Sequence, residues 1–369
     1  MQKAITLRSY RTLGRSGLRV SPLCLGGMTL GDDWGWGADM ETAVKIINRY
    51  TELGGNFIDT ANIYTSGHSE KIIGDTIGRH SSLRTNMVIG TKFSANTNPG
   101  DPNGGGSGAK SIIENCNQSL RRLQTDYIDL YWLHQWDEHT PFEEMMRTLD
   151  NLVTSGKVRY IGISYANAWR IAQAQTMALL KDWTPFIGLQ VEYSLLQRTI
   201  EDELIPMALE LGMGLTPWSP LKGGILTGKY LGASQVADSR LGSSGSVNGG
   251  APALGEKDTA ILRKLEEISN RHHTSLAAVA LSWVINRPAV ASTIIGVRKI
   301  SQLESNLEAL DVALDADEVA ALDELSAPES TFVTKYAPYA KMFQHGGIEI
   351  NGFQPAPLPA IQQMVPGKY

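Results

Sequence analysis

Residues 127–134 read YIDLYWLH, residues 142–155 read FEEMMRTLDNLVTS, and residues 156–164 read GKVRYIGIS. The outer two are short apolar runs with the length of strands. The middle one repeats its apolar residues at helical spacing, and Gly156 stands where a left-handed helix C-cap is expected. A continuous apolar strand, a helix and a second apolar strand make a parallel pair with a crossover, buried on both faces. The same unit recurs on either side. Further strands are expected at Leu23–Gly26, 56–60, 87–92, 186–192, 214–219 and 291–297, beside 127–134 and 159–164. Helical patterns fall at 40–53, 70–79, Ala109–Leu123, 142–155, 168–180, 202–211, 259–286 (two helices) and 301–310. Gly54–Gly55 and Gly212 punctuate two more helix ends. Eight such units predict a closed (β/α)8 barrel rather than an open doubly wound sheet, as a single domain over 1–369. Outside the units lie a hairpin at 11–20 that could plug the barrel bottom and a flexible Gly/Ser/Ala-rich loop at 232–255 after the seventh strand. A C-terminal extension at 328–369 carries aromatics without a clear period.

Composition narrows the function. The chain has 369 residues, 42% hydrophobic and 19% charged, with a net charge of −5. Such a balance offers nucleic acid or an anionic membrane no electrostatic footprint. No apolar run approaches the roughly 20 residues of a membrane helix, and residues 1–10 lack the apolar stretch of a secretory signal. The two cysteines, Cys24 and Cys116, are far apart and in no ligand spacing. That predicts a reducing, cytoplasmic setting, no disulfide framework and no metal.

In a barrel of this kind the site lies at the C-terminal ends of the strands. Asp59 ends the second strand, Lys92 the third, His134 the fourth and Ser164 the fifth. Gln190 lies late in the sixth, Trp218 and Ser219 end the seventh, and Tyr64 follows Asp59 on the next loop. Taken singly these residues have ordinary readings: Asp59 a turn or cap residue, Lys92 a solvated charge, His134 a structural histidine, Tyr64 a half-buried packing residue. Together they read differently. Lys92 and His134 follow strongly apolar runs, where a buried charge is costly unless paired, and Asp59 on the neighbouring strand is the natural partner for Lys92.

At these residues the chain resembles the aldo-keto reductase superfamily, from about Tyr10 to Leu310. The resemblance is carried by GNFIDTANIY at 55–64 with Ser69, Glu70 and Gly74, by Thr91-Lys92, and by the 127–134 and 156–164 stretches. It continues in WSPLKGG at 218–224, LTGK at 226–229 and GVR at 296–298. It implies a catalytic set of Asp59, Tyr64, Lys92 and His134 that reduces an aldehyde or ketone to an alcohol. A free tyrosine has a pKa near 10, so Tyr64 needs the cation of Lys92 to give up its proton near neutrality, and Asp59 keeps that cation in place. His134 would help meet the carbonyl oxygen as it grows negative. The resemblance also implies NADPH/NADP lying across the barrel mouth without a Rossmann glycine fingerprint. Trp218 would stack on the nicotinamide, Ser164 and Gln190 would hold its carboxamide, and Ser219 and Leu221 would lie near the pyrophosphate. Gly27, Met28, Asp59, Gly223 and Lys229 complete the cofactor side, and Gly296, Arg298, Gln302 and Asn306 would take the adenosine end. The Arg298 guanidinium matches a 2′-phosphate, which favours NADPH over NADH. Two positions depart from the family pattern. Tyr165 stands where the family usually has Asn, and Thr65 where many relatives carry Gly.

Trp34, Trp36 and Trp136 follow strand ends and are candidate substrate residues, suiting an apolar or aromatic small molecule. Three rival readings stand beside the reductase. One is an NADP-linked alcohol dehydrogenase running the same chemistry backwards. Another is a redox-sensing subunit like those of potassium channels, for which a homo-oligomer would be expected. The third is a barrel isomerase of phosphorylated sugars, which would need neither Trp218 nor Arg298.

Overall fold

The structure is a computed structural model that describes residues 5–78, 81–231 and 254–357. Of the loop expected at 232–255, all but Leu254 and Gly255 lies outside the described residues. Two short antiparallel strands, β1 (Arg11–Thr12) and β2 (Arg19–Val20), form the N-terminal hairpin. Eight parallel strands follow: β3 (Leu23–Gly26), β4 (Phe57–Asp59), β5 (Val88–Phe93), β6 (Ile128–Leu133), β7 (Val158–Ser164), β8 (Phe186–Gln190), β9 (Gly214–Leu215) and β10 (Thr293–Ile295). They pair in chain order, and β10 returns beside β3. The last seam is made by a bridge between Leu215 and Val290, with the Ile294 N–H donating to the Pro217 carbonyl at 2.8 Å. This is the expected (β/α)8 barrel.

The helices between the strands are α1 (Met40–Glu52), α2 (His68–Ile73), α3 (Ser81–Asn86), α4 (Ala109–Leu123), α5 (Phe142–Thr154), α6 (Ala168–Lys181), α7 (Leu204–Glu210), α8 (Glu256–His272) and α9 (Leu276–Ile285). After β10 come α10 (Ile300–Leu307) and α11 (Ala316–Ser326). Gly54, Gly156 and Gly212 do sit in the left-handed region, at φ 95°, 78° and 69°. The short helix α3 and the helix α11 were not expected. The helix expected at 70–79 begins earlier, at His68, and widens into a looser turn over Gly74–Gly78. The seventh strand is shorter than its expected 214–219, because Pro217 has no N–H to give to a ladder.

Period-2 alternation sorts the strand residues. Outward positions such as Ile58, Ile89, Tyr131, Leu133, Ile161, Ile163 and Leu189 pack under the helices in the large core. Inward ones, including Phe57, Val88, Leu130 and Trp132, form a second core inside the barrel with Leu13, Val20, Cys24, Ala291 and Ile294. Trp132 fills the middle of that space. A Cβ at Gly162 would lie 2.3 Å from its ring and one at Gly188 2.9 Å, so these two positions exclude any side chain. The hairpin closes the bottom. Leu13 is fully buried in the inner core, and the Arg15 N–H donates to the Gly212 carbonyl at 2.7 Å.

The described residues from Pro328 onward belong to a compact unit of their own. It contains α12 (Phe332–His345), capped by Thr331, with Phe332 stacked on Tyr336 at 5.8 Å and Tyr336 on Tyr339 at 6.3 Å. The aromatics at 332, 336, 339 and 343 therefore do have a helical period, which the internal Pro338 disguised. Among the described residues, no helix is long and apolar enough to cross a membrane, and no group of His, Cys, Asp and Glu is arranged to hold a metal ion.

Candidate active site

The same alternation delivers the polar residues to one place. Asp59, Lys92, His134, Ser164 and Gln190 share the inward register with Phe57, Val88, Leu130 and Trp132 and stand at the C-terminal end of the barrel. Asp59 and Lys92 form a direct ion pair and are both buried. The Lys92 ammonium also donates to the Thr60 carbonyl at 2.7 Å. The second Asp59 oxygen accepts from the Gln190 amide at 3.2 Å, so Gln190 is joined to the acid–lysine pair. Burial alone would drive the proton off Lys92. Asp59 and the Tyr64 phenol beside it outweigh that, and the lysine pKa is held above its usual value. Lys92 is thus a fixed cation, 4.7 Å from the centre of the Tyr64 ring.

The turn that presents Tyr64 is pinned from below. The buried Asn62 amide donates to the Ala95 carbonyl at 3.1 Å and to Asn115 Oδ1 at 2.7 Å. Directly after Tyr64, Thr65 and Ser66 both adopt left-handed backbone, at φ 47° and 56°. For a β-branched residue that conformation is costly. The Thr65 hydroxyl compensates by donating to the Leu30 carbonyl at 3.2 Å and accepting from the Ser69 N–H at 2.9 Å.

His134 is mostly buried and faces the Lys92 cation. Burial first, then Lys92, lower its pKa to about 3. It is a neutral imidazole at any ordinary pH, and its buried Nδ1 has no hydrogen-bond partner. The sign of the stability effect follows. Below the ordinary histidine value of 6.5 the unfolded chain gains a proton that the folded site refuses until about pH 3. Stability therefore rises with pH across that window. Chemical denaturation of wild type and His134→Gln between pH 4 and about 8 should show the wild type losing more stability on acidification; parallel curves would mean that His134 protonates freely in the fold.

Aromatic rings line the mouth in sequence. Trp36 lies 5.8 Å from Trp34, Trp34 6.4 Å from Tyr64, Tyr64 5.9 Å from His134, His134 6.4 Å from Tyr165 and Tyr165 5.5 Å from Trp218. Trp34 thus joins the tyrosine directly, while Trp36 is buried behind it. Trp136 is engaged elsewhere: it stacks on Phe142 at 6.0 Å and carries the Arg170 guanidinium at 4.7 Å.

The residues expected on the cofactor side fall into three groups. Gly27 and Met28 turn out of β3, and the Gly27 carbonyl accepts from Ser69 Oγ at 2.7 Å. Ser219, Lys222, Gly223 and Gly224 all have positive φ, which coils the chain tightly past Leu221. Lys229 lies over the Tyr230 ring, its ammonium 5.1 Å from the centroid. At the end of β10, Gly296 leads to Arg298, whose N–H donates to Gln302 Oε1 at 2.8 Å, and Asn306 is buried one turn further along α10. Ser164 Oγ is buried with no hydrogen-bond partner.

Two features escaped the sequence. Trp132 lies against Asp59 as the floor of the site. Its spacing of two from His134 on one strand was the available signal. Behind the site, the fully buried Glu70 accepts from Thr91 Oγ1 at 2.5 Å and from Arg122 Nε at 2.6 Å. Nothing in the local sequence marks Glu70 as buried.

The comparisons place the chain among oxidoreductases of carbonyl and alcohol groups. The model of the aldo/keto reductase family matches residues 22–327, and the chain belongs to that family. Its members generally use nicotinamide cofactors. The chain is 34% identical to an aryl-alcohol dehydrogenase of Pestalotiopsis microspora over 353 residues, 94% of this chain and 89% of that protein. It is 34% identical to norsolorinic acid reductase A of Aspergillus parasiticus over 329 residues, 86% of this chain and 81% of that protein. With an aryl-alcohol dehydrogenase [NADP(+)] of Phanerodontia chrysosporium it shares 33% identity over 328 residues, 84% and 83% of the two chains.

Proposed function

We propose that the protein is an NADPH-dependent reductase of aromatic aldehydes or ketones in which Tyr64 delivers the proton. The observation that carries this reading is the Tyr64 phenol set against the buried Lys92–Asp59 pair, with neutral His134 on its other side. A bound dihydronicotinamide supplies a hydride to the carbonyl carbon. Tyr64 gives its proton to the carbonyl oxygen, and the adjacent ammonium stabilises the phenolate left behind. Neutral His134 can donate a hydrogen bond to the same oxygen without adding a charge. The rings of Trp34, Tyr64, His134 and Tyr165 form flat walls suited to a planar aromatic substrate. Two of the relatives are named for aryl alcohols, which fits that wall. The same residues run the reaction toward the aldehyde when NADP⁺ and alcohol are in excess.

The chain's residues fit the dinucleotide. Ser164 Oγ offers a buried, unpartnered hydroxyl, and positive φ at Ser219, Lys222, Gly223 and Gly224 coils the chain tightly where the pyrophosphate would pass. Arg298, Gln302 and Asn306, spaced four residues apart along and just before α10, would take the adenosine. Arg298 would take the 2′-phosphate, and one relative is named for NADP(+). Both cysteines are free and buried, in keeping with a reducing cytoplasmic setting.

The test is a panel of aromatic and aliphatic aldehydes, ketones and alcohols followed at the nicotinamide absorbance. Turnover of aryl aldehydes with NADPH is expected. No dinucleotide binding at all would refute the reading, and binding without turnover would favour a redox-sensing subunit. Arg298→Ala should weaken NADPH binding about 10- to 100-fold, the scale of one lost charge-assisted contact, and leave NADH nearly unchanged. Equal loss for both cofactors would move the 2′-phosphate contact to another residue.

A further inference from the structure

Tyr165 combines three properties. Its backbone is left-handed, at φ 42°, an expensive conformation for an aromatic residue. Its side chain is 55% exposed, although it lies among the rings of the mouth. And its ring lies 5.5 Å from that of Trp218 at an interplanar angle of 32°, close to an offset stack. Trp218 is half-buried and packs against the core inside the barrel. Part of the ring is committed to that core, and Tyr165 lies against it at aromatic contact distance. Strain concentrated at a residue next to the buried, unpartnered Ser164 hydroxyl is the pattern of a group held in place for function rather than for stability.

We propose that Tyr165 competes with the nicotinamide ring for contact with the exposed part of the Trp218 ring and so gates that subsite. This rests on the reading of Trp218 as the stacking partner of the nicotinamide. Binding exchanges one aromatic partner of Trp218 for another, and Tyr165 turns toward solvent, to which the residue is already 55% exposed. The cost of that exchange includes the lost Tyr165–Trp218 contact, which sets cofactor affinity below what the open site would show.

The experiment is calorimetric titration of NADP⁺, without turnover, into wild type, Tyr165→Ala and Tyr165→Gly. Glycine adopts the left-handed backbone without strain and so guards against a fold defect in the alanine variant. Removing the competing ring should tighten binding about 3- to 10-fold in both variants, the range of one aromatic pair. Unchanged or weaker binding in both would overturn the proposal, since Tyr165 would then be neutral or a clamp over the bound ring. Trp218→Ala serves as the separate check on the underlying reading. If it weakens NADP⁺ binding while the Tyr165 variants do not tighten it, the gate alone is wrong. If it leaves binding unchanged, the placement of the nicotinamide is wrong and the gate falls with it.

Discussion

Tyr64→Phe should lower kcat about 10²- to 10⁴-fold, the usual contribution of a positioned general acid, while leaving NADP⁺ affinity nearly unchanged. The substitution removes one hydroxyl and nothing else. Its ring still faces Trp34 and His134 and the Lys92 ammonium. The turn that carries it is held by Asn62 and Thr65, which the change does not touch. What is lost is the phenol proton that lies beside the fixed cation. His134 cannot take over, because its imidazole, held neutral by burial and by Lys92, is a far weaker acid than an imidazolium. Steady-state kinetics on an aryl aldehyde, with cofactor titration alongside, measures both quantities. A Phe variant that keeps near-normal kcat would assign the proton to another donor, and a matching fall in cofactor affinity would mean that the site had been disturbed rather than disarmed.

Lys92→Met should be more damaging still, because it breaks two things at once. Lys92 and Asp59 are both buried and answer each other's charge. Removing one partner of such a pair costs about 3–5 kcal/mol of stability, since the other is left as an uncompensated buried charge. Burial already pushes the Asp59 carboxyl upward against the pull of Lys92. Without the lysine it will take up a proton, and part of the lost stability should return as pH falls. The double variant Asp59→Leu/Lys92→Met separates fold from chemistry. It replaces the pair with apolar side chains and should recover most of the stability in urea denaturation, yet remain as inactive as the single variant. Recovery of activity in the double variant would show that the pair serves packing alone.

Much of the fold was legible because the barrel repeats a strong local signal. Strand β3 and helix α4 fall at the expected residues, and most other elements shift by one or two at their ends. The misses have local causes. β9 stops at Leu215 because Pro217 has no N–H to donate to the ladder, and α12 was hidden by Pro338. The candidate polar set was legible for a similar reason. A charged or polar residue directly after an apolar run sits at a strand end, and parallel strands put all such ends on one side.

The sequence by itself determined the eight strand–helix units of the barrel and the polar residues that end its strands, since each apolar run and helical period is a local signal and parallel strands put all such ends on one side. Tertiary structure alone decided how those residues meet. The Gln190 amide turned onto Asp59, Trp132 as the floor admitted by Gly162 and Gly188, the depressed His134 and the Tyr165 ring laid against Trp218 all depend on distances between residues far apart in the chain. Local patterning carries the direction in which a side chain points. Its partners, and the field it feels, come from strands that only the closed barrel brings together.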